Sequence, residues 1–305
     1  RYLEMKRAVD EKYLGPLVKT EMTRCIHCTR CVRFATEVAG VPELGATGRG
    51  ETMEITTYVE KALSSELSGN IIDLCPVGAL TSKPYAFVAR PWELKKTESI
   101  DVTDALGSNI RVDARGPEIL PVMPRVNEDV NEEWISDKAR FSYDGLLRQR
   151  LDKPYVRQGG KLRPATWNEA FDAIASKLGG VSGNKIAAIA GDLVDCESMF
   201  ALKSLMTSLG SSNIDCRQDG SVAGVGARSG YLFNSGIAGI EEADAILLVG
   251  TNPRHEAAVL NARIRKRFLT GKVKIAAIGP HADLTYKYQH LGASPSILAE
   301  IANGS

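Results

Sequence analysis

The sequence has no apolar run long enough to cross a bilayer. Its longest apolar stretches, Ala245 to Val249 and Ile275 to Ile278, have the length of buried strands. No signal peptide is visible, because Arg1-Tyr-Leu-Glu-Met-Lys-Arg is too charged to be an apolar core segment. An excess of one charge is missing too: the formal net charge is +1, which leaves no footprint for nucleic acid or an anionic membrane surface. Histidine is scarce, with four scattered residues, and no Ser/His/Asp arrangement for nucleophilic catalysis can be read from them. There is no internal repeat and no low-complexity tract. Six cysteines in 305 residues are too few for a disulfide framework. The chain begins with Arg and stops at Ile301-Ala-Asn-Gly-Ser305 without a closing element, so we read it as processed, truncated or incompletely resolved.

What is present is an ordinary globular composition, 44% hydrophobic and 25% charged, in a length that suits two or three domains. Three textures divide it. Residues 1–97 carry four cysteines and short mixed elements. There, Val32 to Val38 predicts a helix closed by Gly40, and Tyr58 to Leu67 a second one. Residues 98–153 alternate apolar and polar around Arg115-Gly116-Pro117-Glu118, the pattern of a hairpin in a small β module. Residues 154–305 alternate strands with helices, which implies βαβ units and a parallel sheet. Expected strands are Lys185 to Ala190, Ala245 to Gly250 and Val273 to Gly279. Expected helices open at Thr166, with Glu169 in a capping box, and cover Glu197 to Leu209 and Glu256 to Phe268.

The chemistry lies in Cys25-Ile-His-Cys28-Thr-Arg-Cys31, followed after 43 residues by Cys75-Pro76. Three thiolates at two-residue spacing wrap three corners of a cubane, and a remote Cys-Pro is a frequent fourth ligand. Soft thiolates suit an iron–sulfur cluster. Zinc is the competing reading, but structural zinc sites favour two separated cysteine pairs. His27 is expected to turn away from the cluster. Arg24, Arg30 and Arg33 put positive charge near it, for tuning or for a solvated surface. Cys196 and Cys216 are isolated and expected to be buried or inert.

The run Met22-Thr-Arg-Cys-Ile-His-Cys-Thr-Arg-Cys-Val-Arg-Phe, with Glu66-Leu-Ser-Gly-Asn-Ile-Ile-Asp-Leu-Cys-Pro-Val-Gly-Ala-Leu-Thr-Ser-Lys-Pro, resembles the large iron–sulfur subunit of respiratory complex I, the NADH:quinone oxidoreductase. The likeness continues through Asn131-Glu-Glu-Trp-Ile-Ser-Asp-Lys-Ala-Arg-Phe and Val249-Gly-Thr-Asn-Pro-Arg. It implies an α/β chain built of a small mixed iron–sulfur domain, a small β module, and a truncated parallel-sheet domain like that of molybdopterin oxidoreductases. It implies one [4Fe–4S] cluster on Cys25, Cys28, Cys31 and Cys75, relaying electrons from NADH and flavin toward quinone. The family's preceding [2Fe–2S] domain and its one-histidine, three-cysteine cluster have no counterpart here.

By the same resemblance, partners are the flavin subunit, a [2Fe–2S] subunit and the quinone-side hydrophilic subunits. The location is the peripheral arm on the bacterial cytoplasmic or mitochondrial matrix side. The β module resembles the cluster-binding start of molybdopterin oxidoreductases and formate dehydrogenases, whose cysteine positions fall here on Asp101, Asp104, Ser108 and Ser136. None is cysteine, so that further cluster is not expected. Gly250-Thr-Asn-Pro sits where such enzymes hold a nucleotide phosphate. No metal ligand stands out around Asp215-Cys-Arg-Gln, Gly224-Val-Gly226 is a weak glycine signal, and no molybdopterin is expected. The rivals are a molybdenum-dependent formate dehydrogenase subunit, an NAD-linked hydrogenase subunit, and a scaffold with a structural metal.

Overall fold

The computed structural model describes residue 3 and residues 7–148, 150–216 and 226–304. They divide into two compact units. One takes the chain up to Leu147 together with the stretch from Phe233 onward; the other runs from Arg148 to Leu232. The sequence readings at Arg1-Tyr2, at residues 4–6, at Arg217-Gln218 and at Gly224-Val225 lie outside the described residues.

In the first unit, the strand Val18–Thr20 pairs antiparallel with Leu80–Ser82, with Thr20 opposite Leu80. The Glu21 N–H extends the ladder to the Ala79 carbonyl at 2.8 Å. This register matters because Cys25 follows Thr20 by five residues and Cys75 precedes Leu80 by five. A two-stranded ribbon therefore returns the remote cysteine to the same end as the first three. A second hairpin, Leu44–Thr47 with Glu54–Thr57, lies beside it and supplies the buried Ile55.

The helix expected over 32–38 forms and is longer. It starts at Arg30–Arg33 and widens into a π-helix over Phe34–Ala39. Gly40 ends it at φ +72°, where an added Cβ would lie 2.7 Å from the Arg265 guanidinium and 2.8 Å from the Thr285 Cβ. Only glycine suits both the backbone and the space.

The helix expected over 58–67 does not form. Tyr58–Glu60 makes a single 3-10 turn, with Val59 at φ +58°. The donors a helix would use are taken by other partners: the Leu63 N–H goes to the Leu14 carbonyl, and the Ser64 N–H and hydroxyl go to the Glu43 carboxylate at 2.7 Å each. Helix begins later, at Asn70–Leu74, and ends at Cys75.

The β module has three antiparallel strands, Lys95–Ile100, Asn109–Arg115 and Glu118–Pro124. The expected hairpin is there, with Arg115 opposite Glu118 and Gly116 at φ +59° in its turn. The first strand carries no alternation because all six of its residues are exposed. The module packs Ile110 and Val122 against Ile135 and Ala139.

Further along, Ala245–Val249, Lys274–Ile278 and Gln289–Gly292 form a three-stranded parallel sheet. The crossover carries a short helix, Pro253–Glu256, and the longer Ala258–Leu269. That longer helix buries Ala258, Val259 and Ala262 in the same core as Met22, Phe34 and Ile71. The cysteine segment and this helix therefore share one apolar interior.

In the second unit, Thr166 and Glu169 make the expected capping box on Trp167–Leu178. Cys196–Ser208 is helical, with Asp195 as its cap. Of the strand expected over 185–190, Ala188–Ile189 pairs, in parallel with Ile214–Asp215. Among the described residues, parallel pairing is thus split between two small sheets rather than gathered in one. No described helix is long and apolar enough to cross a membrane.

Candidate functional site

Cys25, Cys28, Cys31 and Cys75 line one small cavity. Its remaining wall is largely apolar, with Met22, Ile55, Val77 and Leu80 facing it. The first three thiols come from one tight loop. Of the four residues between them, His27 and Thr29 adopt φ +53° and +60°, so the backbone reverses between successive cysteines and turns their side chains inward. The Cys31 thiol is pushed up to about 11, chiefly by burial, then by the neighbouring Cys25, Cys28 and Cys75; its bond to the Val32 N–H opposes this. That mutual influence reflects how near the four sulfurs stand.

Four thiols around one apolar-walled cavity form a soft donor set of the kind an iron–sulfur cluster takes. Structural zinc is more often held by two separated cysteine pairs, a spacing this chain lacks.

His27 is not part of the cavity wall, and its Nε2 lies 3.3 Å from the Arg7 guanidinium. Its backbone N–H approaches the Cys25 Sγ at 3.5 Å, a contact of the type that tunes a cluster thiolate. Arg30 reaches the cavity wall. Arg33 pairs with Glu37 at 2.9 Å on the surface. Cys196 and Cys216 are exposed, so of the expectation that they are buried or inert, burial does not hold. Cys196 opens a helix whose inner face is formed by other residues, and Cys216 follows the edge of a two-residue strand.

The position of Cys75 is set by a buried polar network that composition and periodicity did not reveal. Asn70, four residues after Glu66, is almost fully enclosed. Its side-chain N–H₂ donates to the carbonyls of Leu67 (2.9 Å) and Ile135 (2.8 Å), and its Oδ1 accepts from the Ile135 N–H (3.2 Å). The Asp137 carboxylate accepts from the Ser68 hydroxyl and the Gly69 N–H, both at 2.6 Å. Burial raises the Asp137 pKa against the pull of these donors and of Arg140. Arg140, itself buried, reaches Asn70 and Asp73. Arg254 bonds Glu66 at 2.9 Å and Asp283 at 2.8 Å. The segments around residues 66, 131 and 249 thus hold one another, and together they fix the short helix that delivers Cys75. The signal available in sequence was an Asn and an Asp set among apolar residues.

The turn Gly250-Thr-Asn-Pro does follow a strand and precede a helix. Its donors are already engaged: the Thr251 hydroxyl and the Asn252 N–H bond the Glu256 carboxylate at 2.7 and 2.8 Å. Those bonds hold the Glu256 pKa below the usual range. The donors that would receive a phosphate here meet a carboxylate of the same chain.

Comparison with known proteins agrees with this layout. Three family models match: the ferredoxin-like domain of NADH-quinone oxidoreductase subunit 3 over residues 15–81, the NADH-ubiquinone oxidoreductase NDSU1/NuoG-like 4Fe-4S domain over 94–144, and molybdopterin oxidoreductase over 150–305. The middle one covers a stretch without a cysteine. The chain is 58% identical over 305 residues to the mitochondrial NADH dehydrogenase [ubiquinone] iron-sulfur protein 1 of Solanum tuberosum, covering all of this chain and 41% of that protein. It is 55% identical over 318 residues to the NADH-ubiquinone oxidoreductase 75 kDa subunit of Reclinomonas americana, and 56% identical over 305 residues to an NADH-quinone oxidoreductase subunit of Rickettsia felis. Each of these two alignments covers all of this chain and 46% of the relative, so the chain spans less than half the length of these relatives. With one model matching half of its residues and two more matching the segments before it, the chain belongs to the molybdopterin oxidoreductase family, among the relatives of the large iron–sulfur subunit of NADH:quinone oxidoreductase.

Proposed function

We propose that this chain is an electron-relay segment of NADH:quinone oxidoreductase, with Cys25, Cys28, Cys31 and Cys75 holding one [4Fe–4S] cluster. The observation that carries the reading is the convergence of these four thiols, one of them separated from the others by 43 intervening residues, on a single apolar-walled cavity. When bound, such a cluster supplies one-electron redox chemistry. The chain's own residues do the rest. Met22, Ile55, Val77 and Leu80 exclude water and lower the local dielectric. The N–H groups of His27 and Val32 point at thiolate sulfur, and Arg30 adds positive charge at the wall, all of which favour the reduced state. No proton donor or nucleophile is required for the transfer.

The relatives are named as subunits of NADH:quinone oxidoreductase, which supports other subunits of such a complex as partners; in this reading they are a flavin subunit, a [2Fe–2S] subunit and quinone-side hydrophilic subunits. The same reading places the chain in the peripheral arm, on the matrix side in mitochondria or the cytoplasmic side in bacteria; in its support, no described helix is long and apolar enough to cross a membrane. The domain over 150–305 serves as scaffold in this reading and holds no molybdopterin, with Glu256 engaging the turn where a phosphate would sit.

Anaerobic reconstitution tests the reading. About four irons and four sulfides per chain, with a paramagnetic signal on reduction, are expected. Replacing Cys75 with Ser should weaken or abolish that signal. One zinc without sulfide, or an unchanged signal in Cys75→Ser, refutes the assignment.

A further inference from the structure

The β module contains a second convergence of donor atoms, and its atoms are oxygens. Beyond the pair Ile100 and Asn109, the antiparallel ladder continues one step, with the Asp101 N–H bonded to the Ser108 carbonyl at 2.8 Å. Residues opposite each other in such a ladder project to the same face. Both side chains are enclosed: Asp101 is 4% exposed and Ser108 0%. The Asp101 Oδ1 accepts from the Thr103 N–H and hydroxyl at 3.1 and 2.8 Å. Its Oδ2, and the Ser108 Oγ, are buried without a hydrogen-bond partner.

Two further oxygens come from elsewhere in the chain. The Ser136 hydroxyl, also 4% exposed, donates to the Asp104 Oδ2 at 3.2 Å while accepting from the Ala139 N–H. The Asp104 Oδ1 accepts from the Leu106 N–H at 2.9 Å. Asp101 and Asp104 are close enough for the charge of one to act on the other, and Lys138 acts on Asp104 only from a distance. Among the described residues, neither carboxylate makes an ion pair. A buried carboxylate oxygen and a buried hydroxyl left without partners cost far more than a satisfied pair, and both here lie on one face beside a second carboxylate.

We propose that Asp101, Asp104, Ser108 and Ser136 bind a hard divalent cation of the calcium type. Two carboxylates and two hydroxyls form a hard-oxygen donor set, unlike the thiolates of Cys25 to Cys75. The donors stem from a ladder end, a turn and a helix cap, an irregular array that suits the flexible coordination of Ca²⁺ better than the strict octahedron of Mg²⁺. One cation would engage the Asp101 Oδ2 and the Ser108 Oγ and offset the paired negative charge. It would clip the strand end at Ile100 to the start of the helix Asp137–Phe141, whose cap is Ser136.

The experiment uses the cluster-loaded chain, stripped with a chelator selective for Ca²⁺ and titrated with Ca²⁺, Mg²⁺ and K⁺ in turn, with iron measured in every sample. Saturable uptake of about one Ca²⁺ per chain and a rise in unfolding temperature are expected. Asp101→Asn and the milder Ser108→Ala should each weaken that affinity, Asp101→Asn by roughly tenfold or more, with iron content unchanged. If Asp101→Asn does not fold, Ser108→Ala alone carries the comparison. No uptake by the unaltered chain means that a proton or a water satisfies these oxygens, and overturns the proposal. So does equal affinity in the folded variants, or a response to K⁺ alone.

Discussion

Replacing Asn70 with Ala removes no sulfur and touches no cavity wall, yet it should disturb the cluster site. The substitution strands two enclosed backbone groups, the Ile135 carbonyl and the Ile135 N–H, while the Leu67 carbonyl keeps its bond from the residue 70 backbone N–H. Each orphaned group costs about 1 kcal/mol or somewhat more, so the loss should be about 2–3 kcal/mol. For a unit of this size that corresponds to a fall in unfolding temperature of about 5–10 °C. The helix Asn70–Leu74 is held through this residue and ends at Cys75, so iron retention after brief dialysis should fall as well. Urea unfolding followed by circular dichroism, with iron assay on the same samples, measures both. An exposed change such as Glu51→Gln should stay within about 0.5 kcal/mol. A loss below about 1 kcal/mol for Asn70→Ala, or full iron retention despite the larger loss, would refute the claim that this network positions the fourth cysteine.

Gly69→Ala should strain the same network, since its Cβ would lie 2.8 Å from the Arg140 Cδ and 2.9 Å from the Asp137 Oδ1; unfolding temperature should fall, and a neutral result would show that these groups give way. Thr166→Ala should destabilise the unit over 148–232 by about 1 kcal/mol through loss of the capping box, leaving the paramagnetic signal intact. Cys196→Ser should likewise leave that signal unchanged, because the residue is exposed and belongs to the other compact unit. Glu256 has a lowered carboxyl pKa, so its bonds to Asn252 and Thr251 contribute at neutral pH and are lost as pH falls below the usual glutamate value of about 4.3. Glu256→Gln should flatten that part of the acid unfolding curve, and an unchanged curve would deny Glu256 the role.

The cysteine spacing alone determined the candidate ligand set, because three thiols at two-residue intervals leave local backbone few ways to arrange them. The hairpin at Arg115 to Glu118, the capping box at Thr166 and the strands around 247 and 276 were legible for the same reason, since turn chemistry and local periodicity act within a few residues. The strand Lys95–Ile100 was not, because a fully exposed edge carries no alternation. The helix expected over 58–67 failed because Glu43 and the Leu14 carbonyl, distant in sequence, take its backbone bonds. Long-range pairing also decided what joins the sites: the register of Val18–Thr20 with Leu80–Ser82 brings Cys75 home, and the contacts of Asn70, Asp137 and Arg254 lock it there. Such contacts depend on which buried polar groups find partners across the fold, and no local pattern encodes that choice.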